Sequence, residues 1–213
     1  MPMDTHIAGE TRRDRRKKRN RQALIDAGYR VIAEKGIDAA TMNEIAAQAD
    51  VGAGTAYNYF ASKDDLAMSV LEEVMRRLAE RIEAVTDTFV DPGQVYAFGI
   101  RMVMLAATTD QRWHWLLRRA EVIADAMYRV MGPYAIRDLR NAIAADRYHA
   151  EDPELAWRLA THAIVGFGIA VCDGKLPPEK IDDAVVNLLG MVGVPREEAW
   201  EIARRPCPAL PDE

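Results

Sequence analysis

TMNEIAAQADVGAGTAYNYFASKDDL, running from Thr41 to Leu66, carries three helix starts and one tight turn within a single compact run. Thr41 stands three residues before Glu44, the spacing at which a hydroxyl caps the Glu44 amide while the carboxylate reaches back to the Thr41 amide. Met42, Ile45, Ala46 and Ala49 then recur at helical spacing and predict one buried face. Asp50 and Gly52 flank Val51 and break the pattern, since Asp tolerates left-handed geometry and Gly meets no steric cost there. Ala53 to Tyr59 follows as about two turns of helix, ~10 Å at ~1.5 Å per residue, short enough to lie in a DNA major groove ~12 Å wide. Phe60 should anchor its end in the core. Ser62, three residues before Asp65, repeats the capping signature, and the free amides there together with Lys63 make a natural phosphate contact. Helix, turn and short helix in this order are the sequence form of a helix-turn-helix, so the segment reads as a DNA-binding unit.

At this point the chain resembles the TetR family of transcriptional regulators. The residues in register are Thr41, Ile45, Ala46, Ala49, Val51, Gly54, Thr55, Tyr57, Tyr59, Phe60, Ser62, Lys63 and Leu66, within the first third of the chain. The resemblance implies phosphate contacts at Thr41, Thr55, Tyr59 and Lys63, and bases facing Ala53, Gly54 and Asn58. Three positions depart from the family pattern. Asp50 stands where Gly is usual, Gly52 where Ser usually caps the recognition helix, and Ala53 where a longer side chain is frequent. Gly is an acceptable N-cap. Ala53 removes one base reader and shifts sequence preference toward Thr55, Tyr57, Asn58 and DNA shape.

Upstream, Thr11 to Arg21 contains eight Lys and Arg, the densest basic patch in the chain. Arg16, Arg19 and Arg21 are the candidate phosphate contacts there, against the plainer reading of a solvated arm. The run leads into Leu24, Ile25, Ala27, Gly28, Val31 and Ile32, an apolar stripe at helical spacing that Gly36 should end. The formal net charge is −5, but the basic run is concentrated ahead of residue 22 while acidic residues predominate in the remainder, and local charge governs DNA affinity.

The 213 residues, 49% hydrophobic, are enough to bury a substantial core. The expected architecture is all-α: a disordered tail over 1–10, a helix-turn-helix domain over 11–66, a helical regulatory and dimerisation domain over 67–204, and a Pro-rich tail over 205–213. Asp64 to about Asp87 reads as an amphipathic connecting helix, ended by Asp91-Pro92-Gly93, and Val95 to Ala107 as an interior one. Gly132-Pro133 should interrupt or kink the helix before it, whereas Asp152-Pro153 and Pro177-Pro178 should open the last two long helices.

Those two helices suggest a partner. Ala163 to Val171 is apolar nearly all round, and Gly166 and Ala170, four apart, permit close backbone approach; Ile181, Val185, Leu188 and Leu189 form a wide stripe. The resemblance implies that they build a four-helix homodimer interface with Ala163, Gly166, Ala170, Ile181, Val185, Leu188 and Leu189 in it. The alternative is a purely intrachain core. A central set of soft and aromatic residues, Phe98, Met102, Trp113, Leu117, Met127, Met131, Tyr134 and Phe167, reads either as ordinary core or as the lining of a pocket for a largely apolar small-molecule effector.

Other classes find little support. No phosphate loop, nucleophile elbow or zinc motif is present, and the four histidines lack a paired ligand spacing, so neither an enzyme nor a cofactor or metal is expected. Nothing at the start reads as a signal peptide, the longest nearly unbroken apolar run, Ala163 to Cys172, is short for a bilayer, and isolated Cys172 and Cys207 fit a reducing cytoplasm. Cys207 reads as a plain exposed thiol or as a sensor. The expectation is a cytoplasmic homodimeric repressor that leaves a pseudo-palindromic DNA operator when an effector binds. The alternative is a regulator acting as an activator or through a protein partner.

Overall fold

The computed structural model describes residues 11–109 and 120–211, and among them every regular element is helical. The chain divides into two compact units, the first ending at Val70 and the second beginning at Leu71, so the divide falls within a single helix.

In the first unit, α1 (Arg12–Ala39) starts on a capping box that the basic run conceals: the Asp14 amide donates to the Thr11 hydroxyl and the Asp14 carboxylate accepts from the Thr11 amide. The basic run is therefore helical from Arg12. Gly36 ends the regular part of α1 as expected, with φ 81°, a left-handed conformation that glycine adopts without penalty. α2 (Met42–Gln48) carries the predicted box between Thr41 and Glu44. Asp50 takes the turn at φ 54°, in the left-handed region its side chain tolerates. α3 (Ala53–Tyr57) is shorter than the two turns expected: the Tyr59 and Phe60 amides both fold back onto the Ala56 carbonyl and close it. Phe60, fully buried, locks that end into a core of Leu24, Ile25, Val31, Ile45, Leu66 and Val70. α4 (Lys63–Thr86) starts where Ser62 caps the Asp65 amide at 3.1 Å.

The second unit packs α5 (Pro92–Thr109) against α6 (Ala120–Ala144) and α7 (Pro153–Cys172), with α8 (Ile181–Met191) and α9 (Arg196–Ala203) closing the other side of α5. Two Asp-Pro starts are alike. Asp91 accepts from the Gly93 amide at 3.0 Å, and Asp152 accepts from the Glu154 and Leu155 amides.

Two expectations are refined here. Gly132-Pro133 does not interrupt α6, which runs on to Ala144. Pro133 lies on the exposed face, where water can reach the Arg129 carbonyl that loses its donor. Pro177-Pro178 opens a 3-10 turn over Pro178–Lys180, and the helix after it spans only Ile181–Met191. That helix closes at Gly193, φ 81°, through bonds from Gly193 to Gly190 and from Val194 to Leu189, and α9 follows without having been anticipated. Finally, the apolar run at Ala163 is part of a 20-residue helix, α7, long and apolar enough by length and composition to cross a membrane. Its Trp157, Ala160, Ile164 and Val165 are buried in the core, which accounts for that apolarity.

The segment beyond α9 is pinned rather than loose. Arg205 donates to Asp91 at 2.5 Å, and the Pro211 carbonyl accepts from Arg81 Nε at 2.6 Å. Residues 1–10, Trp113 and Leu117 lie outside the described residues.

Candidate nucleic-acid interface

On the first unit, Ala53, Gly54, Thr55, Tyr57 and Asn58 are all exposed, while Ala56 is fully buried, so α3 hangs from the core by one side and offers the rest outward. Gly52 supplies no side-chain cap, so the first amides of α3 are left for an outside acceptor. A Cβ at Gly54 would meet nothing within 4 Å, so the bare backbone there admits a close-approaching partner. Tyr59 is half-buried against the core.

Beside α3, the start of α1 completes a groove lined by Arg13, Asp14, Arg16, Lys17 and Asn20 on one wall and by Thr55, Asn58 and Tyr59 on the other. Arg12, Arg15 and Arg19 continue the basic surface around α1. The expected Arg16 and Arg19 are therefore exposed as anticipated, and Arg13, Lys17 and Asn20 join them. Their side of the helix follows from the 3.6-residue period once α1 is known to be helical from Arg12.

Arg21 is exposed too, and it is tied to its own unit: its Nη2 donates to the Ser69 hydroxyl at 3.0 Å and its guanidinium lies 5.2 Å over the Phe60 ring. Lys63 is half-engaged, its Nζ donating to the Asp38 carbonyl at 3.2 Å. Thr41 stays exposed, its hydroxyl used as the cap of α2. Glu44 lies below its usual carboxyl range because Lys35 and then Thr41 donate to it.

The second unit holds a separate cleft among α4, α5, α6 and α7. Ala79, Ile82, Ile100, Val103 and Met131 give it apolar walls, and Tyr96, Tyr134, Asp138 and Trp157 line it as well. Of the residues expected at a pocket, Met131 and Tyr134 line this cleft. Phe98 lines a different recess near Arg101 and Cys207, and Met102, Met127 and Phe167 are core. Trp157 and Asp138 were not foreseen. Burial pushes the Asp138 carboxyl above its usual range, against the pull of Arg137, whose guanidinium also holds both oxygens of Glu83.

Two apolar rows remain open on this unit. On α7, Leu155, Leu159, His162, Ala163 and Gly166 are exposed, with Ala170 half-buried; on α8, Gly190 and Met191 are exposed. Ile181, Val185, Leu188 and Leu189 are instead buried within the protomer, because α8 turns that stripe onto α5. Cys172 and Cys207 are exposed free thiols. Burial nevertheless pushes Cys207 up, the opposing effect of Arg101 being weaker, and that disfavours the thiolate a sensor needs.

Residues 24–70 match the family model described as bacterial regulatory proteins, tetR family, and residues 91–205 match the tetracyclin repressor-like C-terminal domain. The fatty acid metabolism regulator protein of Bacillus subtilis (strain 168) is 43% identical over 60 residues, 28% of this chain and 31% of that one. The HTH-type transcriptional repressor KstR of Mycobacterium tuberculosis is 28% identical over 123 residues, 58% of this chain and 54% of its own length. The match thus spans about a third to a half of such relatives. Among solved structures, RolR in complex with resorcinol superposes with a TM-score of 0.83 at 28% identity, over 92% of this chain and 99% of that one. FadR of Bacillus subtilis in complex with stearoyl-CoA shares the fold, with a TM-score of 0.59 at 22% identity, over 80% of this chain and 98% of that one.

Proposed function

The chain belongs to the tetR family of bacterial regulatory proteins, and on that premise we propose that it is a cytoplasmic homodimeric repressor released from a pseudo-palindromic operator by a small, largely apolar ligand. The observation that carries the DNA-binding part is the groove in which exposed Thr55 and Asn58 of α3 stand beside Arg13, Arg16 and Lys17 of α1. In this reading α3 enters the major groove while the α1 basic face and Lys63 hold the flanking phosphates. Thr41 and Tyr59 add phosphate contacts, and Ala53, Gly54 and Tyr57 complete the surface against the bases.

Dimerisation uses the open row of α7, Leu155, Leu159, Ala163, Gly166 and Ala170, with Met191 of α8 at its side. A two-fold dimer presents two recognition helices, so half-sites fall about one helical turn, ~34 Å, or a multiple of it apart. The effector occupies the cleft around Met131 and Tyr134, and α4, which forms one of its walls, runs back to Lys63, so a ligand preferring one arrangement of the heads shifts the population away from DNA. RolR with resorcinol supports a ligand in a chain of this fold and length.

Fluorescence anisotropy with DNA from immediately upstream of the protein's own gene, against a scrambled duplex at two salt concentrations, tests the reading. Binding at least tenfold tighter to the former, weakening steeply with salt, is expected. Salt-insensitive binding, or none to either duplex, would contradict it.

A further inference from the structure

The short helix α3 has one buried residue of its own, Ala56, and its end is anchored by Phe60, whose side chain is buried in the core of the first unit. What fixes Phe60 therefore fixes the pitch of α3. The Phe60 amide folds back onto the Ala56 carbonyl at 3.1 Å, and the guanidinium of Arg21 lies 5.2 Å over the Phe60 ring. Arg21 also reaches across 48 residues of sequence, its Nη2 donating at 3.0 Å to the hydroxyl of Ser69, a buried side chain on α4.

Two contacts along one face of α1 hold it to the start of α4. At Gly28, about two turns beyond Arg21, a Cβ would stand 3.1 Å from Val70 Cγ2 and 3.4 Å from Leu66 Cδ2, so the backbone of α1 lies directly against α4 there. A single close contact permits a pivot. The bond from Arg21 to Ser69, at the other end of that face, is the second point that stops it. The consequence reaches outside the core, because the groove beside α3 has Arg13, Arg16 and Lys17 of α1 on one wall and Thr55, Asn58 and Tyr59 on the other. Arg21 does not line that groove. It ties the helix of the first wall to the aromatic ring that follows directly after the second.

We infer that Arg21 is a positioning residue for operator recognition: clamped on Phe60 and Ser69, it holds α3 at a set distance from the phosphate-binding wall of α1, so that bases and backbone are met together. The inference rests on the DNA-binding reading, and within it assigns a role to a residue whose charge alone would make it one more phosphate contact. The two roles affect binding differently. A phosphate contact strengthens binding to every duplex alike and adds ~0.9 to the slope of log affinity against log salt. A positioning residue serves the duplex whose bases fit and leaves the slope alone, because the counterions released are the same.

Anisotropy of the full chain tests it, with the upstream duplex, or the best duplex selected from random DNA, set against a scrambled one. Arg21→Ala should weaken binding to the fitting duplex roughly fivefold or more and to the scrambled duplex less than about twofold, with the salt slope within ~0.3 of the parent's, whereas Arg16→Ala should lower the slope by ~1. Ser69→Ala changes no charge and is the sharper variant. It should reproduce about half or more of the loss in log affinity, and the protein carrying both Arg21→Ala and Ser69→Ala should bind no more weakly than Arg21→Ala alone. Without DNA, hydrogen exchange over residues 53–60 should quicken severalfold in both variants, at urea midpoints that show the fold intact. Equal loss on both duplexes, a slope lower by ~1 in Arg21→Ala, or a Ser69→Ala protein unchanged in affinity and exchange would overturn the inference. If Arg21→Ala does not fold, Ser69→Ala decides alone. A parent chain that selects no duplex would instead contradict the regulator reading, and the exchange measurement would still decide whether Arg21 holds α3.

Discussion

Asp14, the one acid within a run of eight arginines and lysines, completes the capping box of Thr11, whereas Asp91 opens a helix by the Asp-Pro pattern and carries more than a cap. Burial pushes Asp91 up, but bonds from Arg205 and the Gly93 amide, with Arg147 close by, outweigh it and hold the carboxyl below its usual range. A depressed folded value means that the stabilisation is fully present above the unfolded value of ~3.9 and fades as pH falls through the folded one. Asp91→Asn should therefore lower the urea midpoint at pH 7, by roughly 1–2 kcal/mol in stability, and the gap to the parent should narrow below pH ~4. A gap that is constant with pH would assign the loss to packing. Lys63→Ala should weaken binding to all duplexes alike and reduce the salt slope by ~1, read by anisotropy; loss confined to one base pair would contradict a phosphate role. The apolar character of the cleft was legible from Met131 and Tyr134, but Trp157 and Asp138 were not. A tryptophan on an apolar stripe reads as core, and only three-dimensional placement brings it to the wall of the cleft. The contacts of Arg21 were not legible for the converse reason: charge locates it in the basic run, and only its helical phase brings it to Phe60 and Ser69.

Helix starts were the most legible elements, because a cap is a local contract between residues two or three apart. Thr41 with Glu44, Ser62 with Asp65 and Asp152 with Pro153 all form as their spacing predicts. Helix ends and continuations depend on what covers them. Pro133 was expected to interrupt or kink α6, and its exposed position allows the helix to run on. Interior proline costs a helix ~3 kcal/mol, and proline recovers ~1 kcal/mol by stiffening the unfolded chain. Pro133→Ala should accordingly stabilise the protein by up to about 2 kcal/mol in urea denaturation, and a loss of stability would contradict this. The stripe Ile181 to Leu189 was legible as apolar but not as inward, since a sequence does not say which of two neighbours, α5 or a second chain, will cover it.

At the scale of the molecule, charge is divided: the basic groove sits on a chain that is acidic overall. The open row of α7 is expected to be covered by a second copy. A Cβ at Gly166 would meet nothing within 4 Å in the protomer, so Gly166→Trp should leave the fold intact while weakening dimerisation tenfold or more in sedimentation. An unchanged dimer would remove this face from the interface. Such a dimer has a consequence that a monomer lacks, a target with two-fold symmetry. The central measurement is selection of bound sequences by the purified protein from a library of random DNA duplexes. The account predicts enrichment of one pseudo-palindrome, lost when Asn58 and Thr55 are replaced by alanine but only weakened when Arg16 is. No enrichment over the input library, or enrichment that survives the loss of both α3 side chains, would contradict it.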